Sequence, residues 1–198
     1  MSQVNLIKEF EDAGAILKGH FILSSGLHSD TYLQCARALM DTKRSERLCN
    51  ALAEKIKKAI DANSIDIVVS PAMGGVIVGY ETARQLGKPS VFCERVNGVF
   101  ELRRGFMLEK GQKVLVIEDV VTTGKSSFET IKLIESFGAK VIAEGALINR
   151  SGQEKPLGDI PLVTLETLNI KTFESNDVPT ELQNIEAVKP GSRFIRGG

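Results

Sequence analysis

The sequence lacks long hydrophobic runs and any surplus of charge. Its most apolar stretches, such as residues 114–117 and 76–78, are far too short for the roughly 20 residues that cross a bilayer as a helix. Lys plus Arg total 25 and Asp plus Glu total 25, so the formal net charge is zero. We therefore expect no membrane span. A broad electrostatic surface for nucleic acid or anionic lipid is also not expected.

Cysteine is scarce too. The three cysteines, Cys35, Cys49 and Cys93, are widely spaced and form no CxxC pair. This pattern argues against a disulfide framework or a zinc site and favours three small buried residues in a reducing compartment. The N-terminus has no basic segment followed by an apolar one, so we expect no signal peptide and a cytoplasmic location.

The remaining composition is typical of one globular α/β domain. The chain has 198 residues, of which 42% are hydrophobic and 25% are charged, enough to bury a sizeable core. Apolar spacing predicts a helix over about 3–16, a hairpin within 20–33 and a helix over 45–60. An Asn-Gly hairpin turn at Asn97 and Gly98 and a short helix over 180–187 are also predicted. After residue 60 strands and helices alternate, with strands predicted at 65–70, 90–93, 113–117, 141–148 and 162–168. This alternation predicts a central, mostly parallel sheet flanked by helices.

Ligands of such sheets bind beyond the carboxyl ends of the strands, and the loop after residues 113–117 has the most distinctive sequence there. It begins with two acids, Glu118 and Asp119, continues through several hydroxyl residues and Gly124, and opens a helix near Ser126. Free N–H groups and the helix dipole favour an anion at such a helix start. A phosphate joined to vicinal hydroxyls, such as a ribose 5-phosphate, fits this loop, because carboxylates bind sugar hydroxyls strongly.

This loop has two other interpretations. The Gly124-Lys125-Ser126 triplet suggests a nucleoside-triphosphate loop, but that motif needs a glycine where Asp119 stands, so the spacing excludes it. From spacing alone, the loop also fits an ordinary Ser or Thr helix N-cap next to two solvent-exposed acids.

The segment 117–126 resembles the phosphoribosyl pyrophosphate (PRPP) motif of the type I phosphoribosyltransferases. The resemblance implies their fold, with the loop wrapped around the 5′-phosphate and with Glu118 and Asp119 on the ribose hydroxyls. The substrate-binding residues it implies in this segment are Glu118, Asp119, Val120, Val121, Thr122, Thr123, Gly124, Lys125 and Ser126.

Residues 17–32 are similar to the N-terminal hood of the orotate phosphoribosyltransferases, and the segments 87–89, 92–95, 102–106 and 146–150 fit the same family. The resemblance implies a single domain over 1–198, with a small hood formed mainly by residues 1–40. It implies a pentosyltransferase that moves the 5-phosphoribosyl group from PRPP to orotate, giving orotidine 5′-monophosphate and pyrophosphate in pyrimidine biosynthesis. A homodimer and Mg²⁺, bound mainly through PRPP and without named protein ligands, are implied as well.

For orotate, the resemblance implies contacts from Arg150 and Thr122, with Lys18 over the same pocket. Arginine suits the carboxylate of orotate because its planar fork binds bidentately. From the residues alone, Arg150 also fits a surface arginine that ends a strand. Lys18 likewise fits a cation that stabilises a helix C-terminus.

For the leaving pyrophosphate, the resemblance points to the loop at 70–75, with Ala72, Met73 and Gly74 as binding residues. Small residues leave backbone N–H groups exposed to an anion, although a tight strand-to-helix turn explains the same residues. Relatives often carry lysine where Gly74 stands, which weakens a direct charge contact here.

Relatives often have a lysine- and histidine-containing mobile loop after Arg95, whereas a short Asn97-Gly98 turn follows here and Arg103 and Arg104 supply adjacent positive charge. We hypothesise that Arg95 and one of Arg103 and Arg104 neutralise pyrophosphate, so that Asp119, Glu118, Arg103 and Arg104 are the candidate catalytic residues. A charged hairpin on a solvated face is the alternative for the arginine pair. His20 and His28 are expected to be surface residues of the hood hairpin.

Two rival functions fit part of this pattern. One is a transferase for a purine or another base. The other is a non-enzymatic regulator that keeps the PRPP fold to sense a metabolite, which zero net charge and the lack of a nucleic-acid module disfavour.

Overall fold

A computed structural model describes residues 4–23 and 25–190. The helices are α1 (Leu6–Asp12), α2 (Cys35–Leu39), α3 (Thr42–Ala59), α4 (Gly74–Leu86), α5 (Lys125–Ser136) and α6 (Thr180–Gln183). The strands are β1 (Ile16–Ile22), β2 (His28–Leu33), β3 (Ile67–Pro71), β4 (Ser90–Val96), β5 (Val99–Leu102), β6 (Lys113–Val121), β7 (Lys140–Asn149) and β8 (Leu162–Thr167).

The central sheet has six strands in the order β5-β4-β3-β6-β7-β8. All neighbours pair in parallel except β4 and β5, which form an antiparallel hairpin. The Asn-Gly turn of that hairpin has both residues at positive φ, at 50° for Asn97 and 89° for Gly98, as a tight hairpin turn requires. The predicted α/β sheet and this hairpin are confirmed.

Helices cover both faces of the sheet, because successive strand residues point to opposite sides. Leu115 and Ile117 of β6 pack with the apolar side of α3 in one cluster. Val114 and Val116 pack with Ile131 and other residues of α5 in a second cluster. The carboxyl ends of β3, β6 and β7 therefore lie between two helical layers.

The N-terminal region differs in detail from its prediction. Helix α1 is shorter than the predicted 3–16, because Asn5 caps its start and Gly14, at φ 59°, turns the chain into β1. Residues 1–3, part of the predicted helix and hood, lie outside the described residues. Strands β1 and β2 form the predicted antiparallel hairpin, whereas α2 was not predicted.

Strand β6 is longer than predicted, running to Val121 rather than ending before the two acids. Its last residues still pair with β7, Val120 with Ile148 and Val121 with Asn149. Both acids therefore belong to the strand, not to the loop.

The C-terminal segment packs on the hood hairpin. Phe173 and His28 exchange two backbone hydrogen bonds of 2.9 and 2.8 Å, and the Val188 N–H donates to the His20 carbonyl at 2.9 Å. Strand β8 and helix α6 confirm the two elements predicted for this segment. In the part of the chain that the structure describes, no helix is both long and apolar enough to span a membrane.

Candidate active site

A cavity of about 510 Å³ lies at the carboxyl end of β6. The loop and first turn after that strand, residues 120–127, form most of its wall, and Ser25 of the β1–β2 turn reaches it from the hood. Gly124 makes the turn into α5 at φ 73°, with Leu157 and the Pro156 carbonyl packed close behind it. The free N–H groups of the first turn of α5 therefore belong to the cavity wall, where an anion is favoured.

The two acids of β6 are consecutive strand residues and point differently. Glu118 lines the cavity. Asp119 turns toward the start of α4, where a Cβ placed on Gly74 would lie 2.5 Å from its Oδ2. The Asp119 Oδ1 accepts a 2.9 Å hydrogen bond from the Val120 N–H.

Burial makes both carboxyl groups easier to protonate. It raises the pKa of Glu118 well above its usual range, helped by the negative charges of Asp119 and Glu144. Burial also raises the pKa of Asp119, while the Val120 N–H acts in the opposite direction. These carboxyl groups therefore gain from hydrogen-bond donors such as sugar hydroxyls or from positive charge brought by a ligand.

A third acid near the cavity, Glu144, was not predicted from the sequence. It lies within β7 and is fully buried, and its Oε1 accepts a 2.6 Å hydrogen bond from Ser127 Oγ in the first turn of α5. A glutamate inside the otherwise apolar run 141–148 was the available signal, since a buried acid is rare without a partner.

Arg95 lines the cavity and has three partners. Its guanidinium forms an ion pair with Glu129 of α5, donates to the Gly98 carbonyl at 2.8 Å and lies 4.0 Å from the centre of the Phe100 ring. Lys125 Nζ lies 4.0 Å from the same Glu129 carboxylate. Two cations thus share one carboxylate at the cavity wall.

Arg103 and Arg104 are not among the residues that line this cavity. Their guanidinium groups lie 3.9 and 3.2 Å from Glu94 Oε1, and both side chains are more than half exposed. The structure therefore brings Arg95, but neither of these two arginines, to this cavity.

Of the predicted orotate residues, Arg150 lies between the end of β7 and the hood. Arg150 follows β7 directly, and its N–H donates to the Val121 carbonyl at 2.7 Å. Its half-buried guanidinium lies near Tyr32 and Cys35, close enough to affect their pKa values, and its Nε has no hydrogen-bond partner among the described residues. Tyr32 was not singled out from the sequence.

Lys18 lies on the hood hairpin, where its Nζ donates to Thr31 Oγ1 at 2.7 Å. Lys18 is paired with Thr31 in the antiparallel ladder, and Tyr32 is the next residue along β2. Adjacent strand residues point to opposite faces, so Lys18 does not share a face of the hairpin with Tyr32.

The predicted pyrophosphate loop joins β3 to α4. The Ala72–Met73 peptide bond is cis, and the Ala72 N–H donates to the Cys93 carbonyl at 2.7 Å. The Met73 side chain is exposed. Gly74, at the end of this loop, lies against the Asp119 carboxylate and brings the loop beside it.

The prediction that His20 and His28 are surface residues of the hood hairpin is wrong for His20, and His28 is half-buried. His20 is buried, and its Nε2 lies 2.6 Å from Nδ1 of His28, while its Nδ1 lies 3.0 Å from the Ile185 carbonyl. The two residues meet because β1 and β2 are hairpin partners and the C-terminal segment covers His20.

The mostly parallel sheet, with a cavity between the end of β6 and the first turn of α5, defines an α/β protein whose candidate ligand site lies at the carboxyl ends of its strands. The sequence model of the phosphoribosyl transferase domain matches residues 36–184. The orotate phosphoribosyltransferase of Sphingopyxis alaskensis is 52% identical over 196 residues, which cover 98% of this chain and 99% of that protein. That of Novosphingobium aromaticivorans is 53% identical over 193 residues, 98% of each chain. The chain therefore belongs to the phosphoribosyltransferase family and, within it, to the orotate phosphoribosyltransferases.

A solved structure agrees with this assignment. The crystal structure of orotate phosphoribosyltransferase from Aeropyrum pernix is similar with a TM-score of 0.71 and 28% sequence identity. The match covers 83% of this chain and 94% of that one.

Proposed function

We propose that the protein transfers the 5-phosphoribosyl group of PRPP to orotate, forming orotidine 5′-monophosphate and pyrophosphate, a step of pyrimidine biosynthesis. The observation that carries this proposal is the arrangement at the end of β6, where two acids are followed by the Gly124 turn and the free N–H groups of the first turn of α5. The near-complete coverage of orotate phosphoribosyltransferases at about half identity supports the choice of base.

The 5′-phosphate of PRPP is placed against the first turn of α5. Several free N–H groups and the positive end of the helix dipole meet the phosphate there. Lys125 adds a positive charge at the cavity wall. Glu118 and Asp119 take the ribose hydroxyls, since a carboxylate accepts strong hydrogen bonds from such donors.

Orotate is placed between the hood and the end of β7. Arg150 carries a fork of donors for the orotate carboxylate, and the unpartnered Nε is one of them. Tyr32 and Arg150 lie close enough to affect each other's pKa, and Thr122 lines the cavity. Lys18 is left out of this pocket, because it lies on the hairpin face opposite to Tyr32.

The reaction needs little acid–base chemistry from the protein. The ring nitrogen of orotate forms a bond to the anomeric carbon while the bond from that carbon to the pyrophosphate oxygen breaks, and the electron pair leaves with pyrophosphate. Positive charge develops on the sugar, and Asp119 beneath it stabilises that charge. Arg95 meets the negative charge that accumulates on the leaving group.

Magnesium enters with PRPP in this proposal. Mg²⁺ prefers hard oxygen ligands and keeps several waters, so diphosphate and ribose oxygens suit it better than an all-protein cage. Among residues 4–23 and 25–190, no group of three or more His, Cys, Asp and Glu side chains is arranged to hold a metal ion. The ion supplies charge neutralisation for the diphosphate when bound.

A homodimer is proposed with α4 in its interface. Large apolar side chains recur at helical spacing on one side of α4: Met73, directly before the helix, and Ile77 and Tyr80 within it. These side chains are 75%, 47% and 67% exposed, respectively. Large apolar side chains exposed in a row are typical of a surface that a partner covers. A cytoplasmic location is proposed on the three free, buried cysteines, which suit a reducing compartment.

The test follows orotate absorbance after PRPP and Mg²⁺ are added, with uracil and hypoxanthine in parallel reactions. We expect consumption of orotate alone, and an Asp119→Asn variant that is folded but nearly inactive serves as the matched control for contaminating activity. Consumption of another base instead would move the assignment to a different transferase. PRPP binding without turnover of any base would favour the regulator.

A further inference from the structure

Glu144 is a buried acid directly beneath the phosphate side of the cavity. It occupies a middle position of β7, on the sheet face that α5 covers, and its side chain has no exposure to solvent. An isolated buried carboxylate is costly, because it leaves water without a compensating charge. Its presence in this strand therefore calls for a role.

The contacts of Glu144 tie it to the cavity wall. Its Oε1 lies 2.6 Å from Ser127 Oγ, and Ser127 is the third residue of α5 and lines the cavity. Its Oε2 has no hydrogen-bond partner in the described part of the chain. The single bond that the carboxyl group makes is thus to the helix turn against which a phosphate is placed.

The surroundings of Glu144 contain a second acid. Glu118 of β6 is the titratable group that faces it, with Cys93 of β4 beyond Glu118. Helix α5 presents Ser127 to it, and Leu162 stands beside it in β8. Burial and the Ser127 hydroxyl are the causes that shift its pKa, and neither is a positive charge.

We propose that Glu144 is a positioning residue for PRPP: as an uncharged carboxyl group it holds Ser127 and the first turn of α5 in place, and on ionising it weakens binding of the 5′-phosphate. The inference rests on the proposed function for the identity of the ligand. Glu118, Asp119 and Glu144 are all buried, so negative charge on all three beside a bound phosphate would cause strong mutual repulsion.

The ionisation of Glu144 falls in the range where an enzyme works. Burial raises the pKa of Glu144 to about 7, and the Ser127 hydroxyl opposes this. By linkage, a bound phosphate favours the protonated acid, so PRPP binding takes up a proton near neutral pH. Proton uptake is measurable without turnover.

The experiment compares wild type with Glu144→Gln, whose amide oxygen still accepts the Ser127 hydrogen bond but carries no charge. The dissociation constant of PRPP with Mg²⁺, without orotate, is measured by calorimetry between pH 6 and 8.5 in buffers of different ionisation enthalpy. Glu135→Gln, an exposed change farther along α5, is the matched control. The ionisation of PRPP itself is common to all three proteins and cancels in the comparison.

We expect wild type and Glu144→Gln to bind PRPP equally at pH 6. At pH 8.5 the variant should bind about fivefold more tightly, as expected for one removed charge interaction, and should lose the proton uptake. The KM for PRPP should follow the same pattern with little change in kcat. Ser127→Ala should raise the pH at which PRPP affinity is halfway between its low-pH and high-pH values, because the hydroxyl that favours the ionised acid is gone.

A ratio of dissociation constants that is the same at every pH, or unchanged proton uptake in Glu144→Gln, would overturn the proposal and leave a merely structural role. The proposal is equally overturned if Ser127→Ala does not shift the midpoint. Failure of the proposed function is distinguishable, because wild type would then not bind PRPP at all. In that case inorganic phosphate is titrated over the same pH range, and the same comparison of wild type with Glu144→Gln decides the role of Glu144.

Discussion

Glu94 and Arg95 are neighbours in β4, yet their side chains serve opposite faces of the β4–β5 hairpin. Arg95 reaches Glu129 at the cavity wall, whereas Glu94 holds Arg103 and Arg104 on the other side. The alternation of a strand imposes this separation. The hairpin thus carries one arginine toward its own cavity and two away from it.

This separation predicts unequal effects of arginine removal. Arg95→Ala should lower kcat/KM by about 10- to 100-fold, the range for a lost hydrogen-bonded charge contact. Arg103→Ala or Arg104→Ala should lower turnover only if that arginine leaves Glu94 and acts on pyrophosphate. Steady-state kinetics of the three variants, with the surface variant Arg47→Ala as control, decides this. Unchanged turnover in all three would refute the pyrophosphate assignment.

The contact between Gly74 and Asp119 predicts a second result. A methyl group at position 74 would lie 2.5 Å from Asp119 Oδ2, so Gly74→Ala must push the carboxylate or the loop aside. We expect kcat to fall at least tenfold, because a small displacement of a catalytic group is costly. Alanine is more favourable than glycine in a helix by about 1 kcal/mol. This gain offsets part of the cost of the clash, so the melting temperature should fall less than for an ordinary clash in the core. Wild-type kinetics in a folded Gly74→Ala protein would contradict the observed packing.

Periodicity and turn chemistry predicted most of the fold. The apolar run at 114–117 and the alternation of strands with helices indicated the parallel sheet, and the Asn97-Gly98 pair indicated the β4–β5 hairpin. The extent of β6 was underestimated because its last four residues include two acids, and pairing with β7 overrides their poor strand propensity.

The site was only partly predictable. The motif at 117–126 located the cavity because its residues are contiguous in sequence. The Glu144–Ser127 and His20–His28 contacts join residues 17 and 8 positions apart, and tertiary packing decides whether such residues meet. The opposite orientations of Glu94 and Arg95 followed from strand alternation and were open to prediction.

Glu144 predicts a pH dependence of stability. Its pKa is about 4.5 in a model peptide and about 7 in the fold, so between these values the native state binds more protons than the unfolded chain. Stability from this group is therefore complete below pH 4.5 and is lost as the pH rises through 7, by up to about 3 kcal/mol.

Urea unfolding of wild type and Glu144→Gln at pH 5 and pH 8.5 measures this effect. The variant should gain stability relative to wild type at the higher pH by roughly 2–3 kcal/mol. Removing the charge of Glu144 also makes Glu118 easier to ionise, which acts in the same direction. A stability difference that does not change with pH would show that Glu144 is already ionised at pH 5 or is accessible to water.

Arg150 predicts a separation between the two substrates. Arg150→Lys keeps the positive charge but loses the planar fork, so one of two parallel hydrogen bonds to the orotate carboxylate is missing. We expect the KM for orotate to rise about 10-fold or more, since a hydrogen bond to a charged group contributes roughly 1.5–3 kcal/mol. The KM for PRPP should stay near the wild-type value, because the first turn of α5 is unchanged. Initial rates with each substrate varied in turn measure both constants, and an equal rise in both would place Arg150 outside the orotate pocket and in the shared architecture of the site.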